Sequence, residues 1–242
     1  MKSKVTHSIT QNLINTKKVI VFDWDGTIFD SMAGKLKSFA TVLPIYFSEM
    51  GCPINSDLVE DIYLRNSGKP RKEIILEVAN EIDADLETHD IDEMSRRLFL
   101  FNRTALAEEN LFPDAIRLLK GLVNSDLVLY ISSSVPQDEL DYFVSKALPK
   151  NFHLRFSGVF GSNYDFSKGP EHIERISIDS GVSLNKILVI GDDEADFTLS
   201  KQAGVDCILV DRNNCFFDKF PQNFVNNLDE LCNLLNLTVL TH

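Results

Sequence analysis

Five short apolar runs punctuate the chain, at 18–23 (KVIVFD), 127–132 (LVLYIS), 156–160 (FSGVF), 186–190 (KILVI) and 206–210 (DCILV). They are rich in β-branched residues and mostly do not alternate with polar ones. That pattern predicts strands buried on both faces, as in a parallel sheet covered by helices. Helical periodicity fills the spaces between the later runs. It predicts helices over 112–124, with Ile116, Leu119 and Val123 on one stripe, and over 137–147, 170–180 and 194–204, the last closed by Gly204 as a C-cap. Leu231, Leu234 and Leu235 mark a short C-terminal helix. Alternating strands and helices predict an α/β doubly wound sheet. Residues 34–110 break this rhythm: LKSFATVLPIYFSEM, DLVEDIYLR, PRKEIILEVANEI and DEMSRRLFLFNRTALAEEN read as helices without a strand. The expected organisation is a core of 1–33 and 111–242 with an inserted all-α cap of 34–110, and no internal repeat or low-complexity linker.

Composition narrows the function classes. The chain has 242 residues, 44% of them hydrophobic and 25% charged, enough for one sizeable core or a core plus a small second domain. Its formal net charge is −12 and no basic patch stands out, which argues against a nucleic-acid partner. An acidic protein that handles anions needs local positive charge or a bound metal. Cys52, Cys207, Cys215 and Cys232 lack metal-ligand spacing and read as reduced intracellular thiols. The N-terminal stretch has no apolar leader core, and no run approaches the roughly 20 apolar residues that span a bilayer. A cytoplasmic protein without a membrane partner is expected. The sequons at Asn102 and Asn236 then read as chance, and the acid-rich run 81–93 as a solvated face and connecting loop.

Chemistry concentrates where the apolar runs stop. The first ends in FDWDGTIFDS, with Asp23 and Asp25 two apart and so on one side of an extended chain. Trp24 points the other way, and Gly26 permits a tight turn. Ligands of open α/β sheets sit outside the carboxyl ends of strands. Two carboxylates there need a cation between them, or one must hold a proton. The plainer reading is a turn whose acids cap Gly26 and Thr27. The segment VIGDDEADF repeats the design with Asp192, Asp193, Glu194 and Asp196. Capping of a helix starting near Asp193 explains one or two of these acids but not all four. Oxygen-only ligands favour Mg²⁺ over zinc. In LYISSSVP a strand ends in Ser132, Ser133 and Ser134, whose hydroxyls can hold phosphate oxygens, although serine-rich turns are common. Lys168 follows a strand and precedes a helix beginning at Pro170; alone it reads as a solvated charge.

The order of these segments, Asp-x-Asp-Gly-Thr, strand-Ser, Lys, and strand-Gly-Asp-x-x-x-Asp, resembles the four motifs of the haloacid dehalogenase (HAD) superfamily. The resemblance covers 18–211 and implies a Rossmann-like core with a helical cap after the first motif. It implies that Asp23 is the nucleophile and forms an aspartyl-phosphate. Asp25 would be the general acid and base. Mg²⁺ would be held by Asp23, the Asp25 backbone carbonyl and Asp192, with help from Asp196. Lys168 would steady Asp23, and Ser132, with Thr27 and Ser133, would contact the phosphate. An acid at position 25 sets phosphoryl transfer apart from the dehalogenase and phosphonatase branches. Gly169 replaces a common Pro and Asp193 a common Ser, so either Asp192 or Asp193 could meet the metal, with Asp192 preferred. Gly68 and Arg71 are similar to an anion-contacting loop of β-phosphoglucomutase-like members; a solvated loop before a helix at Pro70 is the plainer reading. His172 receives no role, and the segment 99–102 (FLFN) reads as core. The resemblance implies an Mg²⁺-dependent phosphatase, closest to the phosphoglycolate-phosphatase-like branch, acting on a small phosphorylated metabolite. A phosphomutase and a non-catalytic binding module are the alternatives.

Overall fold

A computed structural model describes residues 13–106, 111–163, 166–212 and 223–237. Cys215, most of the N-terminal stretch, Thr238 of the second sequon and the end of the expected cap at 107–110 lie outside the described residues. Six strands form one sheet: β1 (Val19–Phe22), β2 (Val128–Pro136), β3 (Phe156–Ser162), β4 (Ile187–Gly191), β5 (Asp206–Val210) and β6 (Phe224–Val225). Their order is β3-β2-β1-β4-β5-β6 and every pairing is parallel. The chain winds outward from β1 to β3, then returns to the other side of β1 with β4. This reversal opens a crevice at the carboxyl ends of β1 and β4. All four β1 residues are buried, as a continuous apolar run requires. The two-residue β6 was not expected from the sequence, being too short for a periodic signal.

Contacts divide the chain into two compact units, Met1–Phe29 with Leu111–His242, and Asp30–Asn110. The second unit contains α1 (Met32–Glu49), α2 (Ser56–Arg65), α3 (Arg71–Glu81) and α4 (Thr88–Ala105). Phe47, Ile75, Met94 and Leu98 are among the residues of its own hydrophobic core. Two expectations change here. In the segment 99–102, Phe101 packs on that core but Leu100 is exposed, because the buried stripe of α4 runs through Met94, Leu98 and Asn102. Asn102 is buried and hydrogen-bonded to Ser38, so its side chain is a core group. The acid-rich run is not uniformly solvated either: Asp90 is buried, accepting from the Glu87 N–H at 3.0 Å and the Tyr46 hydroxyl at 3.0 Å.

In the first unit, α5 (Pro113–Leu122), α6 (Gln137–Ala147), the single turn α7 (Lys150–His153), α8 (Pro170–Ser180) and α9 (Glu194–Gln202) alternate with the strands. The chain's last described helix is α10 (Leu228–Leu234). The buried stripe of α5 is Ala115, Leu118, Leu119 and Leu122, not Ile116, Leu119 and Val123. Val123 follows the helix and is exposed. Leu118 is 1% exposed and Val123 36%. Leu118→Ala is therefore expected to cost about 2–5 kcal/mol. Val123→Ala should stay within about 0.5 kcal/mol of wild type. Urea unfolding of both variants checks this; equal losses would refute the stripe.

Candidate active site

The first loop is built around the end of β1. The Asp23 N–H donates to the Ile190 carbonyl at 2.8 Å, carrying the β1–β4 pairing one residue beyond the strand. The chain then closes tightly: the N–H groups of Ile28 and Phe29 donate to the Trp24 carbonyl, and the Gly26 N–H donates to the Phe29 carbonyl. Trp24 turns away from the crevice and stacks on Phe29 at 5.1 Å. Gly26 has φ +78°, and a Cβ there would lie 2.0 Å from Asp192 Oδ2. Only glycine lets the second acidic segment approach this closely. The Thr27 hydroxyl donates to Asp192 Oδ1 at 2.9 Å. Its one hydrogen thus orients the Asp192 carboxylate.

The second loop follows β4. Asp193 is the N-cap of α9, its Oδ1 accepting from the Ala195 N–H at 2.9 Å. Asp196 Oδ2 completes the box by accepting from the N–H groups of Asp192 and Asp193 at 3.2 and 3.3 Å. Gly191 makes room for it, since a Cβ there would lie 2.2 Å from that oxygen. Asp23, Asp192 and Asp196 each bring one carboxylate oxygen within 4.8 Å of the others. With Asp193 committed to capping, Asp192 is the acid that stands in the cluster. Lys168 reaches across from the far side of β2, its Nζ 2.8 Å from Asp23 Oδ1 and 2.6 Å from Asp196 Oδ1.

The sequence model of the haloacid dehalogenase-like hydrolases matches residues 20–210. The chain belongs to this family. Among its relatives, enolase-phosphatase E1 of Persephonella marina is 24% identical over 216 residues, 80% of this chain and 95% of that protein. Among solved structures, CbbY of Rhodobacter sphaeroides in complex with phosphate superposes with a TM-score of 0.72 at 18% identity, covering 91% of this chain and all of that one. A predicted phosphoglycolate phosphatase of Haemophilus somnus superposes with a TM-score of 0.71 at 16% identity, covering 90% and 98%. At these identities the superpositions establish the doubly wound fold.

The electrostatics of this hydrolase follow from burial. Burial pushes the Asp23 carboxyl up to about 7 against the pull of Lys168, with Asp196 and Asp25 adding repulsion. Burial also raises the Asp192 carboxyl, with Asp23 and Asp196 next in importance. Burial works against the charge of Lys168, yet Asp196 and Asp23 hold its pKa above the usual lysine value. Among the described residues, three clustered carboxylates face one ammonium, so negative charge exceeds positive there. The clustered ligand atoms are all oxygens, which suits a hard divalent cation such as Mg²⁺. Asp25 is half-buried and bridges to Phe29; its carboxylate is not part of the three-oxygen cluster.

The remaining candidates separate. Ser132 lines one cavity with Asp23, Lys168 and Asp196. Ser133 is buried and its hydroxyl oxygen accepts from the Val135 N–H at 3.2 Å, a local turn contact. Arg71 opens α3 in the helical unit, where its Nη1 donates to the Ser95 carbonyl at 3.1 Å. Two neighbours of the site had no reading as such in the sequence. His172, fully buried on α8, places Nδ1 2.8 Å from Ser132 Oγ. Burial and then Lys168 push its pKa down to about 4, opposed weakly by Glu171 and the Gly161 backbone. Arg212 donates to the carbonyls of Gly26 and Thr27 at 3.1 and 3.0 Å, pairs with Asp114 at 2.9 Å, and lies 3.7 Å over the Phe112 ring. The stripe His172, Ile173 and Ile176 on α8 was a signal that the histidine faces inward; Arg212 offered none.

Asp23 in the folded protein keeps a proton that the unfolded chain gives up between pH 3.8 and about 7. A raised carboxyl of this kind stabilises the fold below its unfolded pKa, and that contribution is lost as pH rises through the folded pKa. Asparagine cannot titrate. In metal-free protein, the Tm of Asp23→Asn minus that of wild type should therefore grow between pH 5 and pH 8. Parallel melting curves across that window would contradict the assignment.

Proposed function

We propose that this hydrolase is an Mg²⁺-dependent phosphatase that cleaves a small phosphorylated metabolite through an aspartyl-phosphate on Asp23. The observation that carries the reading is Lys168 bridging Asp23 and Asp196 beside Asp192, with a further acid two residues after Asp23. A carboxylate approaching a phosphate dianion meets repulsion of about 4 kcal/mol per charge pair at roughly 4 Å and an effective dielectric of 20. Lys168 offsets part of this and holds the Asp23 oxygen in place. Asp23, Asp192, Asp196 and the Asp25 carbonyl would hold the cation, which supplies the rest of the positive charge facing the phosphoryl oxygens. The Asp23 carboxylate attacks phosphorus while Asp25 gives its proton to the departing alcohol oxygen. Asp25 then takes a proton from water as that water attacks the aspartyl-phosphate, releasing phosphate and regenerating Asp23. Ser132, which lies close to Asp23 and Lys168, donates to a phosphoryl oxygen.

The names of the relatives, an enolase-phosphatase, a predicted phosphoglycolate phosphatase and a protein in complex with phosphate, support a phosphorylated small molecule as substrate. The four-motif chemistry is generic, so we assign the choice of alcohol to the helical unit, acting as the cap domain. A mutase would share the first step and pass the phosphoryl group to a bound sugar phosphate. Arg71, which raised that reading, is engaged with the Ser95 carbonyl, and hydrolysis is the reading we retain.

The test is phosphate release from a panel of sugar phosphates, nucleotides, phosphoglycolate and sialic-acid-type phosphates with Mg²⁺. Chelator should abolish release, and added Mg²⁺ should restore it. Asp23→Asn should fall to background, and Asp25→Asn should lose about 10²–10⁴-fold in kcat. Wild-type release from Asp23→Asn would overturn the proposal, and isomer formation without net phosphate would replace it with the mutase.

A further inference from the structure

We propose that His172 is a positioning residue that donates from Nδ1 to Ser132 Oγ and thereby leaves the Ser132 hydroxyl hydrogen for a phosphoryl oxygen of the substrate. The kinetic half of this rests on the phosphatase reading; the hydrogen-bond half does not. A serine hydroxyl has one hydrogen and can accept as well as donate, while a neutral imidazole has one N–H and one bare nitrogen. Ser132 Oγ and His172 Nδ1 are 2.8 Å apart and both residues are buried, so one hydrogen lies between them. Which group owns it decides what Ser132 can do. If His172 carried its hydrogen on Nε2, Ser132 would give its only hydrogen to Nδ1 and could offer the substrate nothing but lone pairs. A phosphate dianion would be repelled by that arrangement.

The surroundings of the ring favour the other tautomer. Nε2 is buried and makes no hydrogen bond, so the Gly161 backbone, which pulls the ring pKa up slightly, gives this nitrogen no partner at bonding distance. A hydrogen there would be an orphaned donor, whereas a bare acceptor in an apolar setting is the more tolerable defect. The ring packs against two aromatic neighbours, Phe160 with centroids 5.8 Å apart and Phe166 at 4.4 Å. Burial keeps the imidazole neutral at physiological pH, which excludes N–H groups on both nitrogens. Nδ1–H therefore points at Ser132, and the serine hydrogen is free to turn toward the side of Asp23 and Lys168, with which Ser132 lines one small space. The bland alternative is a packed core histidine whose serine contact is incidental.

Two measurements separate these. The first needs no substrate: long-range ¹H–¹⁵N correlation of ¹⁵N-histidine-labelled protein, with His172 assigned by loss of its signals in His172→Asn. The expected pattern is the Nδ1–H tautomer; the Nε2–H pattern would overturn the proposal. It stands as a test even if no phosphatase activity is found, and no leucine variant need fold for it. The second is steady-state phosphate release by wild type, Ser132→Ala, His172→Leu, His172→Asn and the Ser132→Ala/His172→Leu double variant. His172→Leu should lose about 10–100-fold in kcat/KM, in the same parameter, kcat or KM, as Ser132→Ala. His172→Asn, which keeps a side-chain N–H, should recover most of that loss. The double variant should be no worse than Ser132→Ala. Losses that multiply in the double variant, or an Asn variant as poor as the Leu one, would show a structural role only. A wild-type enzyme inactive on every phosphate ester would defeat the phosphatase reading while leaving the tautomer result to stand or fall by itself.

Discussion

One ammonium group between two buried carboxylates holds the carboxyl end of this sheet together. Lys168 contacts Asp23 after β1 and Asp196 on α9, segments far apart in sequence that the strand order makes neighbours. Like charges so close in a buried setting are tolerated only when opposite charge or protonation relieves them. The lysine supplies part of that relief, and the raised pKa values of Asp23 and Asp192 record the part it leaves over. The backbone is shaped to the same end. Gly26 and Gly191 lie under the carboxylates of Asp192 and Asp196, so two missing side chains let the acids pack against main chain. The arrangement is specified by absence as much as by charge.

The strands were legible because parallel strands covered on both faces leave unbroken apolar runs, and a run needs no partner to be seen. The limits of that signal show at β6, where two residues carry no period. They also show on α5, where Leu119 belongs to both the expected and the observed stripe while Ile116 and Val123 belong only to the former. One anchoring leucine does not fix the rotation of a helix face. In the site, the spacing of acids was readable, but the division of labour among them was not. Asp192 and Asp193 differ by a single residue; backbone geometry makes one a cap and leaves the other in the cluster. Thr27 gives its hydroxyl hydrogen to Asp192, a pairing across 165 residues that spacing within the first motif does not reveal.

His172 and Arg212 show the deeper reason for what sequence reading missed. Their partners lie 40 and 186 residues away, and no local pattern advertises such pairings. A histidine beside an apolar stripe is read as core, and an arginine in a turn as solvent-facing. Each is better described by what it touches: the first a buried serine at the end of β2, the second two carbonyls of the loop that follows Asp23.

Asp114 accepts from both Arg212 and the N–H of Leu228, which begins α10. The loop of Gly26 and Thr27 is thus anchored, through one arginine, to the start of α10, a segment far along the chain. During translation Asp23 leaves the ribosome well before the residues that brace its loop. Bracing of this loop must therefore wait until Arg212 and the start of α10 have been made, whatever else has folded by then. A chain that stops short of Arg212 holds Asp23 without the contacts that brace its loop.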